Sequence, residues 1–237
     1  MTTTSSPIQR FDPVSLSALD EPVRRYLTHA IAEGSEIATD VRLRMVGKID
    51  VGRWLSFSAE QDVTGRSFSW RARAGLGPFK VLHVVDSYAE GAGSVDVALL
   101  GRVRLMHADD ENTTRASAGR LVTERIFVPG GLLPGPDVHW RAEADDRIVA
   151  SLAAPPEHPE ITMHITETGA VRDVCIRRWG NVGQKDFGYI PFGGTVSAER
   201  RFGDVVLPSV LSVGWWFGTP RFKPFFDATI LDAQPAK

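Results

Sequence analysis

The sequence predicts an α+β fold: a large curved antiparallel β-sheet, a half-barrel, with two helices packed on its concave face. Three observations predict it. Apolar and polar residues alternate with a period of two through many short, successive segments, which marks strands with one dry and one wet face. Two segments, one near the N-terminus and one at mid-chain, switch to a helical period. The last third interleaves rings with glycines, as in Pro191-Phe192-Gly193-Gly194 and Gly214-Trp215-Trp216-Phe217-Gly218. Rings supply apolar area and glycines let backbones approach, so this stretch suits a curved sheet around a cavity.

Residues 1–19 are predicted to be a flexible N-terminal arm, with Pro7 and Pro13 opposing helix. Residues 20–237 form a single curved-sheet domain, because nothing between them resembles a linker. The first helix is expected from Glu21 to Ala32. Asp20 can cap it, Pro22 suits its first turn, and Val23, Tyr26, Leu27, Ala30 and Ile31 share one face. Gly34 stops it.

Alternation then begins. Val41, Leu43, Met45, Ile49 and Val51 define one strand. Leu55, Phe57, Ala59 and Val63 define the next, and Phe68, Trp70, Ala72 and Ala74 a third. Phe79 to Asp86 and Ser94 to His107 continue the meander. From Thr113 to Val128 the period turns helical again. Ala118, Leu121, Val122 and Ile126 share a face, Asn112 can cap, and Pro129 enforces the end. The breaker-rich segment Pro129 to Pro136 is a bend and a candidate lid hinge.

A second run of strands follows: Val138–Ala142, Arg147–Ala153, Glu160–Glu167, Val171–Trp179, Thr195–Phe202, Val205–Gly214 and Pro224–Leu231. Gly203-Asp204 fits a tight hairpin. Gly180 to Gly194, dense in glycine, is expected to be a long loop.

Composition narrows the function. Of the 237 residues, 43% are hydrophobic, enough for a sizeable core. A net charge of -2 gives no overall attraction to nucleic acid. One cysteine excludes an internal disulfide framework and fits a reducing compartment. Met1 to Pro7 has no charged and apolar regions of a secretory signal. No apolar run reaches the roughly 18 residues of a transmembrane segment, and the closest approach, Val205 to Gly218, is interrupted by Pro208, Ser209 and Ser212. The expected location is cytoplasmic.

No nucleophile elbow, phosphate-binding loop or zinc-binding His pair is present, and no cofactor is predicted. His158, Glu160 and His164 could share one strand face with metal-ligand spacing. Ile161, Met163 and Ile165 occupy the opposite face, which places the histidines on the wet side. No metal site is predicted. Cys175 has no identifiable base beside it.

The candidate catalytic groups are Glu124, Arg120, Asp86 and His83. Arg120 and Glu124 are four apart on the central helix, so they form either a solvated ion pair or a pair facing a cavity. His83 and Asp86 lie on an otherwise apolar strand. The candidate ligand-binding groups are Trp70, Tyr88, Trp140, Trp179, Phe192, Trp215, Trp216 and Phe217. Adjacent Trp215 and Trp216 cannot both face inward from a regular strand, so a bulge at Gly214 is expected.

Several pieces carry a family resemblance: Pro22-Val23-Arg24-Arg25-Tyr26-Leu27, Phe68-Ser69-Trp70-Arg71-Ala72-Arg73, Asp86-Ser87-Tyr88, Gly119-Arg120-Leu121-Val122-Thr123-Glu124, Leu132-Leu133-Pro134, Arg178-Trp179-Gly180-Asn181, and the two ring-rich blocks above. In order and spacing, over nearly the whole chain, they resemble an uncharacterised bacterial family of unknown function. That family's fold in turn resembles the LolA/LppX-type half-barrel, whose members are exported lipid carriers. The resemblance implies an apolar cavity closed by helices, and no activity. The leading expectation is binding of an apolar small molecule: a lipid, isoprenoid or polyketide. A cofactor-independent isomerase, cyclase or hydrolase working in the same cavity is the alternative. A protein-interaction module presenting Trp215 and Trp216 is the third.

Overall fold

The computed structural model describes residues 9–236. Helix α1 spans Glu21–Ala30. The first meander follows: β1 (Asp40–Asp50), β2 (Trp54–Thr64), β3 (Phe68–Leu76), β4 (Phe79–Ala89), β5 (Ala92–Leu99) and β6 (Val103–Ala108). Helix α2 spans Glu111–Glu124 and continues into short 3-10 turns at Arg125–Phe127 and Pro129–Leu132. The second meander is β7 (Val138–Ala144), β8 (Arg147–Leu152), β9 (Glu160–Ile165), β10 (Val171–Gly180), β11 (Gly188–Phe202), β12 (Val205–Trp215) and β13 (Lys223–Gln234).

All 13 strands form one antiparallel sheet in the order β6-β5-β4-β3-β2-β1-β13-β12-β11-β10-β9-β8-β7. The first and last strands therefore pair at its centre, with Met45 opposite Ile230. The two free edges, β6 and β7, are joined by the segment that contains α2.

Register aligns the apolar residues in rows on one face. One row runs Ile176–Phe192–Trp215 across β10, β11 and β12. Another runs Met45–Ala59–Ala72–Val84–Val97 across β1 to β5. This is the concave face, and both helices lie on it. Tyr26 of α1 packs on Trp140 of β7, with ring centroids 5.8 Å apart. Helix α2 lies against β10 and β5.

Several expectations are corrected. The arm predicted over 1–19 is anchored from its second half on, residues 1–8 lying outside the described part. Phe11 and Leu16 are buried in the core, and the amide of Phe11 donates to Ser35 O at 2.9 Å. Two isolated apolar residues among polar ones give no periodicity to read. Helix α1 stops at Ala30, because Ile31 turns extended and bridges to Val205. Asp20 makes no side-chain cap; its Oδ2 accepts instead from Ala142 N at 2.8 Å.

Helix α2 begins two residues before Thr113, and Asp110 caps it by accepting from Thr113 N at 2.7 Å. Asn112 accepts from the indole of Trp179 instead. Ser94–His107 is two strands, split by a hairpin in which Leu100 and Gly101 both take left-handed φ, 51° and 68°. Leucine there hides the turn, since it extends the apolar run.

The loop expected over Gly180–Gly194 is mostly strand. Only 181–187 forms the hairpin turn, and β11 starts at Gly188. Gly193 and Gly194 resemble breakers in sequence but are sites of close approach. A Cβ would lie 2.1 Å from Val174 O at the first and 2.4 Å from Ser212 O at the second.

Candidate functional site

Between α2 and the concave face lies a cavity of about 540 Å³, within the usual range for small-molecule sites. Its walls are aliphatic on the first meander (Leu82, Val84, Val95, Val97, Met106) and aromatic toward β11–β13 (Phe192, Trp215, Phe225, Phe226). The aromatic wall is ordered by ring contacts. Phe192 and Trp215 meet edge-to-face at 5.0 Å, and Phe57 and Phe226 stack at 5.0 Å.

Few polar groups enter this space. Arg120 of α2 reaches down between two carboxylates. Its Nε donates to Glu124 Oε1 at 2.8 Å, one helical turn on, and its Nη1 donates to Asp86 Oδ2 on β4. The guanidinium also lies over the Phe68 ring, 4.8 Å from its centroid. Burial lowers the Arg120 pKa, but Asp86 and Glu124 outweigh burial and hold it above its ordinary value. Asp86 therefore ties α2 to the sheet through Arg120, in a charged, desolvated network that Glu124 of α2 completes.

Arg178, on β10, is the second cation. Its Nε donates to Ala116 O of α2 at 2.9 Å. Its guanidinium lies 4.5 Å from the Phe192 centroid and 5.1 Å from that of Trp215. Among the described residues it has no carboxylate within 4.0 Å. Burial, and secondarily the charge of Arg120, push its pKa down to about 10. It remains charged at neutral pH. Gly119 gives it room, since a Cβ there would sit 2.9 Å from Arg178 Cγ.

A row of polar atoms crosses β2, β3 and β4. Gln61 opposes Trp70, which opposes Asp86. Gln61 Nε2, Trp70 Nε1 and Asp86 Oδ1 are buried with no hydrogen-bond partner among the described residues.

The structure thus brings Asp86, Arg120, Glu124, Trp70, Phe192 and Trp215 to one cavity. It leaves the other predicted residues elsewhere. His83 points to the opposite face of β4, beside Gly101; one step along a strand reverses a side chain. Tyr88 is buried past the cavity, its hydroxyl donating to Pro155 O. Trp140 packs on Tyr26 and donates to Leu132 O at 2.8 Å. Trp179 donates to Asn112 Oδ1 at 2.9 Å and carries Arg115 3.4 Å above its ring. Phe217 meets Phe222 edge-on at 5.1 Å.

The adjacent tryptophans separate. Register with β13 shifts between Val213 and Gly214, and Trp216 takes a left-handed φ of 63°. Trp215 consequently lines the cavity, while Trp216 donates to Val182 O at 2.9 Å and stacks under Arg221. His158, Glu160 and His164 form no metal cluster among the described residues. Glu160 is held by Arg141 at 2.6 Å, and His164 pairs with Asp173 at 2.6 Å.

Sequence reasoning missed Arg178 and Gln61. A signal for both was present: each is a polar residue in phase with a buried face. Arg178 follows Val174 and Ile176 at steps of two, and Gln61 falls between Ala59 and Val63.

The chain belongs to the DUF6920 family, a family of unknown function, matched over residues 17–234. No curated protein matches it. Among solved structures it is similar to a DUF1329 family protein from Desulfovibrio piger, with a TM-score of 0.53 and 9% identity, over 95% of this chain and 94% of that one. It is also similar to a LolA superfamily protein from Nitrosomonas europaea, with a TM-score of 0.47 and 6% identity, over 91% of this chain and 92% of the other. No helix among the described residues is long and apolar enough to cross a membrane.

Proposed function

We propose that the protein binds an apolar small molecule, of lipid, isoprenoid or polyketide character, between α2 and the concave sheet. The observation that carries this reading is the cavity: about 540 Å³, walled by aliphatic and aromatic side chains in a core that is otherwise closely packed. An apolar space of this size recovers hydrophobic and dispersion energy when a ligand fills it. Apolar walls with a few convergent polar groups are the usual make-up of a small-molecule site.

Titration with an uncharged apolar fluorophore such as N-phenylnaphthylamine tests it. Saturable binding is expected, with quenching of tryptophan emission because Trp215 lies at the wall. Trp215→Ala should weaken binding roughly tenfold, the loss of about 1.4 kcal/mol of contact. Trp216→Ala should leave it unchanged. Absence of saturable binding, or equal effects of the two substitutions, would remove the cavity from the function. Where binding is saturable, native mass spectrometry of protein taken directly from cells would identify the resident molecule.

A second reading, acid–base catalysis in the same cavity, has one observation in its favour: two carboxylates, Asp86 and Glu124, stand among apolar walls. Such surroundings are where carboxylates acquire catalytic roles. Glu124→Gln would then abolish turnover of the bound molecule with little change in its affinity. Recovery of that molecule chemically unchanged after prolonged incubation with the protein would exclude this reading.

A further inference from the structure

Building on the apolar-ligand reading, we propose that the ligand is uncharged and carries a carbonyl-class acceptor oxygen, as an ester or ketone does, which Arg178 binds. Arg178 is the cation in the cavity with the most donors left over among the described residues. Arg120 spends Nε on Glu124 and Nη1 on Asp86, which leaves only its Nη2 without an acceptor among the described residues. Arg178 uses only Nε, on Ala116 O. Its two terminal nitrogens have no acceptor among the described residues, although the side chain lines the cavity. They are not occluded either, since they are absent from the buried, unpartnered atoms that include Gln61 Nε2 and Trp70 Nε1. Guanidinium carries donors only, so the matching ligand atom is an acceptor.

Charge decides which acceptor. Asp86 and Glu124 carry two negative charges, and Arg120 and Arg178 carry two positive ones, so the cavity is already neutral. A carboxylate ligand would add an uncompensated charge to a space walled by hydrocarbon, a costly transfer. A carbonyl oxygen accepts from Arg178 and leaves the balance intact. The placement of Arg178 also suits an extended apolar ligand. Its guanidinium rests on Phe192 and Trp215, so a molecule held there by its oxygen has the aromatic wall beside it.

The test displaces N-phenylnaphthylamine with three dodecyl-chain molecules: methyl dodecanoate, dodecanoate and the hydrocarbon dodecane. The ester is expected to bind about tenfold more tightly than the hydrocarbon, and more tightly than the carboxylate at neutral pH. Arg178→Met should erase the ester's advantage while the fluorophore still binds. Arg178→Lys, which keeps the charge but loses the two-pronged donor, should reduce it partially. Circular dichroism confirms that each variant is folded; if Arg178→Met does not fold, the lysine variant decides alone. Tighter binding of dodecanoate than of the ester would overturn the charge argument. An ester advantage unchanged in the folded variants, or equal binding of all three molecules to the wild type, would overturn the role of Arg178. Failure of the fluorophore itself to bind would instead strike the apolar-ligand reading on which the proposal rests.

Discussion

The two ends of the sheet obey the same alternation and end in different states. At the β7–β9 end, Ile148, Ala150, Ile161, Met163 and Ile165 are each 0% exposed. At the β4–β6 end, Leu82, Val84, Val95 and Val97 are only half-buried and face open space. The difference comes from the helix opposite. Helix α1 lays Val23, Tyr26, Leu27 and Ala30 against its strands, and Phe11 and Leu16 add to it. Helix α2 presents Ser117, Arg120 and Glu124 to that side, small or charged groups that cannot fill the gap. Gly93 marks the closest approach, where a Cβ would fall 2.7 Å from Ser117 Cβ. One end is held by fit and the other by charge. A period-two pattern specifies a dry face; the helix above decides whether that face is packed or hollow.

The largest effect should come from cutting the charged tie at the hollow end. Arg120→Met takes from Asp86 and Glu124 the cation they are hydrogen-bonded to and leaves only the more distant Arg178, at a cost of about 3–5 kcal/mol. Urea unfolding measures it, and a loss under ~1 kcal/mol would mean that α2 is held by packing after all. Cavity-creating substitutions should then separate the ends. Met163→Ala at the packed end should cost about 2–4 kcal/mol, and Val84→Ala at the hollow end ~1 kcal/mol or less, because its site already lacks neighbours on one side. Equal losses would erase the distinction.

Enlarging substitutions should reverse the sensitivity. Ala150→Leu has no space and should destabilise by about 1–3 kcal/mol. Val97→Phe should be tolerated within ~1 kcal/mol, while blocking fluorophore binding. Tolerance at both positions, or at neither, would break the comparison.

The smallest effects are alkaline, and opposite in sign at the two ends. Burial, then Glu199, raises the Tyr26 phenol above its ordinary 10.0. Above that pH the unfolded chain ionises while folded Tyr26 keeps its proton, so stability falls as pH rises. Tyr26→Phe should remove that fall. Burial brings the folded Arg178 pKa down to about 10, below its ordinary value, so above that pH the unfolded chain binds the extra proton and stability rises with pH. Urea midpoints across the alkaline range should therefore decline more steeply for Arg178→Met than for the wild type. The reverse order would contradict the desolvation of Arg178.

The strands and both helices were legible because each buries one face, and burial writes its period into the sequence. Their ends were less so. At Leu100-Gly101 the turn borrows an apolar residue, and at Gly193-Gly194 glycine serves close strand approach rather than a loop. The site was half legible. Asp86, Arg120 and Glu124 stood out as charges among apolar residues, and Trp70, Phe192 and Trp215 as rings. Trp140 and Trp179 stood out equally but satisfy their indoles on other elements; a ring's size does not encode which row it joins. Arg178 was hidden by its neighbour, because Arg177-Arg178 resembles a solvated pair until strand phase assigns the second to the dry face.

The pairing of β1 with β13 has a consequence for synthesis. Each meander can assemble from local hairpins as it leaves the ribosome, which is the fast part of folding a sheet. The seam between them joins residues as far apart as Arg42 and Gln234, and it cannot form until the final strand has been made. Until then the six strands of the first meander hold an unpaired edge and an apolar face open to other chains. The twelve residues of β13 therefore act as the closing clasp of the fold, and a nascent chain stopped before Lys223 is the form most in need of a chaperone.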